Sequence, residues 1–437
     1  MRTKRTIIIL LAAFLLAEPR AAAAGGPAVL SLKEQQAVYD GWLRTRLDRI
    51  LPEVMRREKI DMWVVICQEY NEDPVYLSLV PFSSLSARRL SMLVFFDRGE
   101  KGGLEKFAVS RYGVGDLYRT VWAPEKEDQW QALARVVRER KPKRIGVDES
   151  ETFAFADGLS ATLKKRLVEA LGKDYASKLV SAERLVVGWL ERRLPEEMEV
   201  YYHIVSIAHA VIAEAFSSAV VTPGVTTTDD VEWWLRERAR SLGLDIWFSP
   251  SVSVQRPKDS PYRESKVIHR GDLLHCDFGI VYLRLCTDTQ QMAYVLKPGE
   301  GDAPEGLKRA LAAGNRLQDI HLEMMAAGKT GNQVLLDTLR KARAEGLKAS
   351  VYSHPLGFHG HAAGPTIGLW DRQDGVPGAG DYPLFPDTAY SIELNVRTPV
   401  EEWGGREVQI ALEQDAVFTG MRTTFLDGRQ TRFHLIK

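Results

Sequence analysis

The sequence predicts an α+β protein in which a smaller α/β domain, residues 25–185, precedes a larger domain, residues 190–437, built from two similar halves. Three observations predict it. Short apolar runs alternate with helical spacing up to about residue 185, as in a sheet layered with helices. The pattern PGVTTTDDVEWWLRERARSLGL returns in outline at Ala327–Leu347, AGKTGNQVLLDTLRKARAEGL, and each copy is preceded by a helix and followed by a pair of strands. Finally, Asp277, Asp288, Glu393 and Glu413 each interrupt an otherwise apolar strand pattern, two in each half.

Composition narrows the class of function. A chain of 437 residues with 45% hydrophobic content buries ordinary cores, and 58 basic against 58 acidic residues leave no excess charge for nucleic acid. Residues 1–24 carry a basic start (Arg2, Lys4, Arg5), an apolar stretch from Ile7 to Ala17 and small residues ending Ala22-Ala23-Ala24. That is the pattern of a secretory signal, so the mature chain is expected in the periplasm or secreted, with no membrane attachment once the signal is removed. Cys67, Cys276 and Cys286 are too few for a disulfide framework and read as small buried hydrophobes. A Cys276–Cys286 bridge is conceivable, with both side chains pointing away from the carboxylate face.

Taken in order, Val38, Trp42, Leu47, Leu51 and Val54 fall at helical spacing interrupted at Pro52. Met62–Cys67, Leu90–Phe96 and Arg144–Val147 read as strands, with a helix at Gln129–Arg140 between the last two. The polar stretch Glu69–Pro74 reads as a surface or cleft loop, and nothing up to residue 185 groups acids, histidines or a nucleophile. Pro195-Glu196-Glu197 starts a helix well, with proline in the first turn and acids at the positive end of the dipole. On it His203 and His209 do not share a face and read as packed or surface side chains.

Gly271–Leu296 contains the first pair of acids. If its two runs form an antiparallel hairpin turning near Tyr282–Leu283, Asp277 and Asp288 become opposite or diagonal neighbours on one face. The turn lacks the usual glycine, asparagine or proline. Two carboxylates that close require a cation or a shared proton, unless they merely cap loops at the strand ends. Glu393 in AYSIELNV and Glu413 in EVQIALEQDAVF supply a matching pair. A histidine from YSHPLGFHGHAAGPTIG, with His354, His359 and His361, would complete a mixed oxygen–nitrogen set suited to Mn, Fe, Co or Zn rather than Ca.

In that order and residue type, residues 190–437 resemble the methionine aminopeptidase, aminopeptidase P, prolidase and creatinase group, the M24-type metallopeptidases. The matching residues are Asp277-Phe278-Gly279, Asp288, His354 with His361 at the family's interval, Glu393 and Glu413. The resemblance implies a pita-bread fold with an internal pseudo-twofold repeat, preceded by a creatinase-like N-terminal domain that methionine aminopeptidases lack. It implies two divalent ions, most commonly Mn, held by Asp277, Asp288, His354, Glu393 and Glu413, with Asp288 and Glu413 bridging. Glu393 would be general base and His361 a donor to the substrate, in cleavage of short, proline-containing peptides by metal-activated water. Relatives are commonly dimers or tetramers. Where the active peptidases have a further upstream histidine this chain has Asp259-Ser260, and the usual V-R-I-E of the last strand is Val408-Gln409-Ile410-Ala411-Leu412-Glu413. The first departure favours a second reading, a metal-binding pseudopeptidase that holds peptides without efficient turnover.

Overall fold

The computed structural model describes residues 28–437, so the expected export signal lies outside the described residues. Helix α1, Leu32–Thr45, starts at a Ser31–Glu34 capping box and runs through one π-turn, Arg46–Ile50, into α2, Leu51–Arg57. Pro52 sits in the first turn of α2, directly after the π-turn, and the helical path continues through it. Six strands follow as one sheet: β1 Met62–Gln68, β2 Leu90–Asp97, β3 Leu104–Ala108, β4 Arg119–Thr120, β5 Ile145–Val147 and β6 Leu179–Ser181, in the order β4-β3-β2-β1-β5-β6.

Helices α3, Gln129–Arg140, and α4, Ala161–Ala176, cover one face of that sheet. The alternation of β1 decides which side chain goes where. Met62, Val64 and Ile66 meet Leu133, Val137 and Leu163 under those helices. Trp63, Val65 and Cys67 face the other way, into a second cluster that holds Leu43, Leu47, Trp189, Tyr201, Phe278 and Leu283. One continuous apolar core thus joins the first sheet to the larger half of the chain.

The larger part begins with α5, Glu183–Glu191, and α6, Pro195–Ala215, with Pro195 in its first turn. Helix α7, Thr228–Ser241, leads to strands β7 Asp245–Ile246, β8 Ser251–Gln255, β9 Leu273–Phe278, β10 Ile280–Tyr282, β11 Leu285–Cys286 and β12 Thr289–Val295. The second half repeats the plan with α8 Glu305–Met324, α9 Gly331–Ala344, β13 Lys348–Val351, β14 His354–Leu356, β15 Thr388–Val400 and β16 Arg406–Phe418, followed by β17 Thr423–Phe425 and β18 His434–Ile436. Helices α7 and α9 both open with a threonine capping box, Thr227 with Asp230 and Thr330 with Gln333.

The main sheet runs β13-β15-β16-β12-β9-β8. Its two halves are mirror-ordered about the β16–β12 pair, so the repeat seen in the sequence becomes a pseudo-twofold axis between those strands. Among the described residues no helix is long and apolar enough to cross a membrane.

Candidate metal centre

Register places the acids. Across the sheet, Ser251, Asp277, Gln290, Glu413 and Glu393 lie directly opposite one another in a single row. Directly opposed residues share a face. Asp288 joins that face two residues before Gln290, diagonal to Asp277. Asp277 and Glu393 occupy equivalent second strands of the two halves, and Gln290 stands at the position equivalent to Glu413.

His354 enters from β14, which pairs with β15 beside Ser391. Its Nδ1 donates to the Pro355 carbonyl at 3.0 Å, so in the neutral imidazole Nε2 carries the lone pair. That Nε2 is buried without a hydrogen-bond partner, 3.5 Å from Asp288 Oδ2 and 3.6 Å from Glu413 Oε1. Asp277 Oδ1 is likewise buried and unpartnered. Possible ligand atoms of Asp277, Asp288 and Glu413 lie within 4.8 Å of one another, as do those of His354, Glu393 and Glu413, and those of Asp288, His354 and His361. All five expected ligands and His361 are therefore brought together.

The electrostatics favour a cation or bound protons. Burial, reinforced by Glu413, pushes the Asp277 carboxyl up to about 8. Burial and neighbouring carboxylates likewise raise Asp288 and Glu393 well above the usual carboxylate range. Among the described residues no lysine or arginine forms an ion pair with any acid of the cluster. Divalent ions would supply the charge that the protein withholds, and the mixed oxygen and imidazole donors fit them.

Several supporting side chains carried no motif. Gln290 donates from Nε2 to Glu393 Oε1 and accepts at Oε1 from His275 Nε2, 2.9 Å away. Ser391 Oγ donates to Glu413 Oε1. The buried Asp415 carboxylate receives the Asp288 backbone N–H at 3.2 Å. Asp415 lies two residues beyond Glu413 on β16, and Gln290 two residues beyond Asp288, which immediately precedes β12, a period-2 relation that could have found them.

His361 is exposed at the cleft, its ring nearly perpendicular to His354 with centroids 4.7 Å apart. Trp247 presses against it edge to face at 5.0 Å and donates from Nε1 to the Thr287 carbonyl at 2.8 Å. His359 is turned elsewhere and stacks on Phe155 at 4.4 Å. His203 and His209 also lie apart, His203 against the Ala28 carbonyl and His209 against Asp427. The three thiols are free and buried. Cys276 is on β9 with Asp277, as expected, whereas Cys286 belongs to β11 and not to the strand that follows Asp288.

Metallopeptidase family M24 matches this chain over residues 202–419, a span that includes every residue of the cluster. The chain belongs to that family. As an M24 metallopeptidase it comes from a metal-dependent group that acts on peptides, and the carboxylate–histidine cluster is its candidate metal site. No curated protein is matched by sequence. Among solved structures it is similar to an X-Pro aminopeptidase from Thermotoga maritima (19% identity, TM-score 0.62, 88% of this chain and 99% of that one). It is also similar to an Xaa-Pro dipeptidase from Bacillus anthracis (17%, 0.57, 93% and 100%) and a dipeptidase from Pyrococcus horikoshii (16%, 0.59, 90% and 100%). At such identities the likeness concerns the fold, which is the pita-bread fold with the expected mixture of sheets and helices.

Proposed function

We propose that the chain is an exported dinuclear-metal hydrolase of the Xaa-Pro aminopeptidase or dipeptidase kind, cleaving short, proline-containing peptides. The observation that carries this reading is the buried acid cluster, paired with no lysine or arginine among the described residues and closed by the unpartnered Nε2 of His354. Asp277, Asp288 and Glu413 would hold one ion, and His354, Glu393 and Glu413 the other, with Asp288 reaching both. Manganese is the expected metal, with cobalt, zinc or iron as substitutes. When bound, such a pair lowers the pKa of a water and polarises the scissile carbonyl.

The chain's own groups supply the rest. Gln290 holds Glu393 through Oε1, which leaves Oε2 to take a proton from the attacking water and pass it to the leaving amine. His361, packed against Trp247 and open to the cleft, donates to the developing oxyanion. The leader pattern of residues 1–24 supports export. Ser260, in place of a histidine, favours the second reading, peptide binding without efficient turnover.

Purified protein, loaded in turn with Mn, Co, Zn and Fe, should be assayed on Xaa-Pro dipeptides and on longer peptides beginning Xaa-Pro. Turnover of one class above the other separates dipeptidase from aminopeptidase. Tight peptide binding with no hydrolysis under any metal would refute the enzymatic reading and leave the second.

A further inference from the structure

The connection between the two aspartate strands is strained. Leu283 and Arg284 form the two-residue turn between β10 and β11, and both have positive φ, 54° and 59°. Such turns normally use Asn-Gly, because an L side chain in this region costs about 1–2 kcal/mol per residue. A strained conformation persists only where its surroundings over-determine it.

Here the surroundings belong to the N-terminal part of the chain. Arg284 Nη1 donates to the carbonyls of Leu77 (2.6 Å) and Val80 (3.3 Å). Its Nη2 donates to those of Pro81 (3.4 Å), Phe82 (2.9 Å) and Ser84 (2.8 Å). The guanidinium also lies over the rings of Tyr39 and Phe82, at 4.7 and 5.4 Å. Leu283 is 2% exposed, within the core shared with Leu79 and Val80.

The N-terminal part of the chain also reaches the histidine loop. His359, between His354 and His361, stacks on Phe155. The hairpin and the loop are themselves tied, because Cys286 N donates to the Gly357 carbonyl at 2.8 Å. Asp288 follows Cys286 by two residues and His354 precedes Gly357 by three. Segment 77–84 therefore holds the hairpin, and the hairpin holds the histidine loop, with a metal-site residue close to each end of the Cys286–Gly357 bond.

We propose that Arg284 is a positioning residue for the metal centre, through which segment 77–84 sets the placement of Asp288 and His354. The inference rests on the metal reading above. It gives the N-terminal part a role in metal affinity, beyond shaping a cleft.

The test is calorimetric titration of metal-free protein with Mn²⁺ alone, with circular dichroism and thermal unfolding as checks of fold. Arg284→Ala should stay folded and bind Mn²⁺ about tenfold more weakly, the scale of losses seen when the support of a metal ligand is removed. Arg284→Lys should fall between. Arg284→Gly relaxes the second positive-φ position of the turn and removes the anchor while leaving the buried Leu283 in place, so it should be more thermally stable than Arg284→Ala and still bind weakly. Arg135→Ala, a control in an N-terminal ion pair away from the hairpin, should bind as wild type does. If Arg284→Ala binds normally, or Arg284→Gly recovers stability and affinity together, the positioning role is refuted while the metal site stands. A wild-type chain that takes up no Mn²⁺ refutes both.

Discussion

Gly279 follows the Asp277 strand directly, and the space around it decides what an added methyl group would do. A Cβ built there would lie 2.5 Å from Trp247 Nε1 and 2.7 Å from Phe248 Cε1, and closer still to the Thr287 carbonyl oxygen. Contacts between such atoms are comfortable only near 3.5 Å, so Gly279→Ala forces displacements of about 1 Å. The carbonyl belongs to backbone and cannot swing aside as a side-chain end would. Overpacking of this kind costs about 1–3 kcal/mol, and losing the Trp247–Thr287 hydrogen bond adds about 1 kcal/mol. The sum, about 2–4 kcal/mol, is a large part of a typical total of about 5–15 kcal/mol. Urea unfolding monitored by tryptophan fluorescence should show it as a lowered midpoint at unchanged slope. Because Thr287 adjoins Asp288, a variant that folds should also bind Mn²⁺ more weakly. A Gly279→Ala protein within about 0.5 kcal/mol of wild type and normal in metal uptake would refute the packing argument.

Three further outcomes are expected. Glu413→Gln keeps the volume but loses a ligand charge shared by both sub-clusters, so elemental analysis should find fewer than two metals per chain; unchanged content would remove Glu413 from the ligand set. His361→Ala should retain its metals and lose on the order of 10²-fold or more in turnover, whereas His359→Ala, stacked on Phe155, should be milder; the reverse order on a common substrate would show the histidine loop misassigned. Burial pushes the His321 imidazole down to about 3, so the unfolded chain binds the extra proton first and stability falls as pH drops from about 6.5 toward 3, at up to about 1.4 kcal/mol per pH unit. His321→Leu should flatten that part of the acid-unfolding profile, and an unaltered profile would mean that His321 does not titrate in this window.

What the sequence made legible follows from how local its causes are. Helix α3 begins at the expected residue because Asp128 caps it and Gln131 answers from its third position, and it ends where Lys141 turns left-handed. The ligand acids stood out because an ionisable group in an apolar strand contradicts its surroundings. Strands β3, β4 and β6 were not anticipated, since Glu105 and Lys106 break the apolar pattern of β3 and the edge strands β4 and β6 are only two and three residues long. The hairpin turn carried no signal because its conformation is imposed by carbonyls some two hundred residues earlier. Trp247 was invisible for the same reason, being a loop residue whose role depends on a histidine more than a hundred positions away.

The core that unites Leu43 and Trp189 with Tyr201 and Phe278 has a consequence for how this molecule comes apart. Where one apolar cluster spans both parts of a chain, neither part can open without baring the other's interior, so melting should proceed as a single calorimetric peak. Severing the chain near residue 190 would strand Leu283 and Tyr201 in water and yield an aggregating fragment in place of a minimal peptidase. The M24-like half is then not a detachable module: its inheritance, loss or transplantation has to proceed together with the sheet that precedes it.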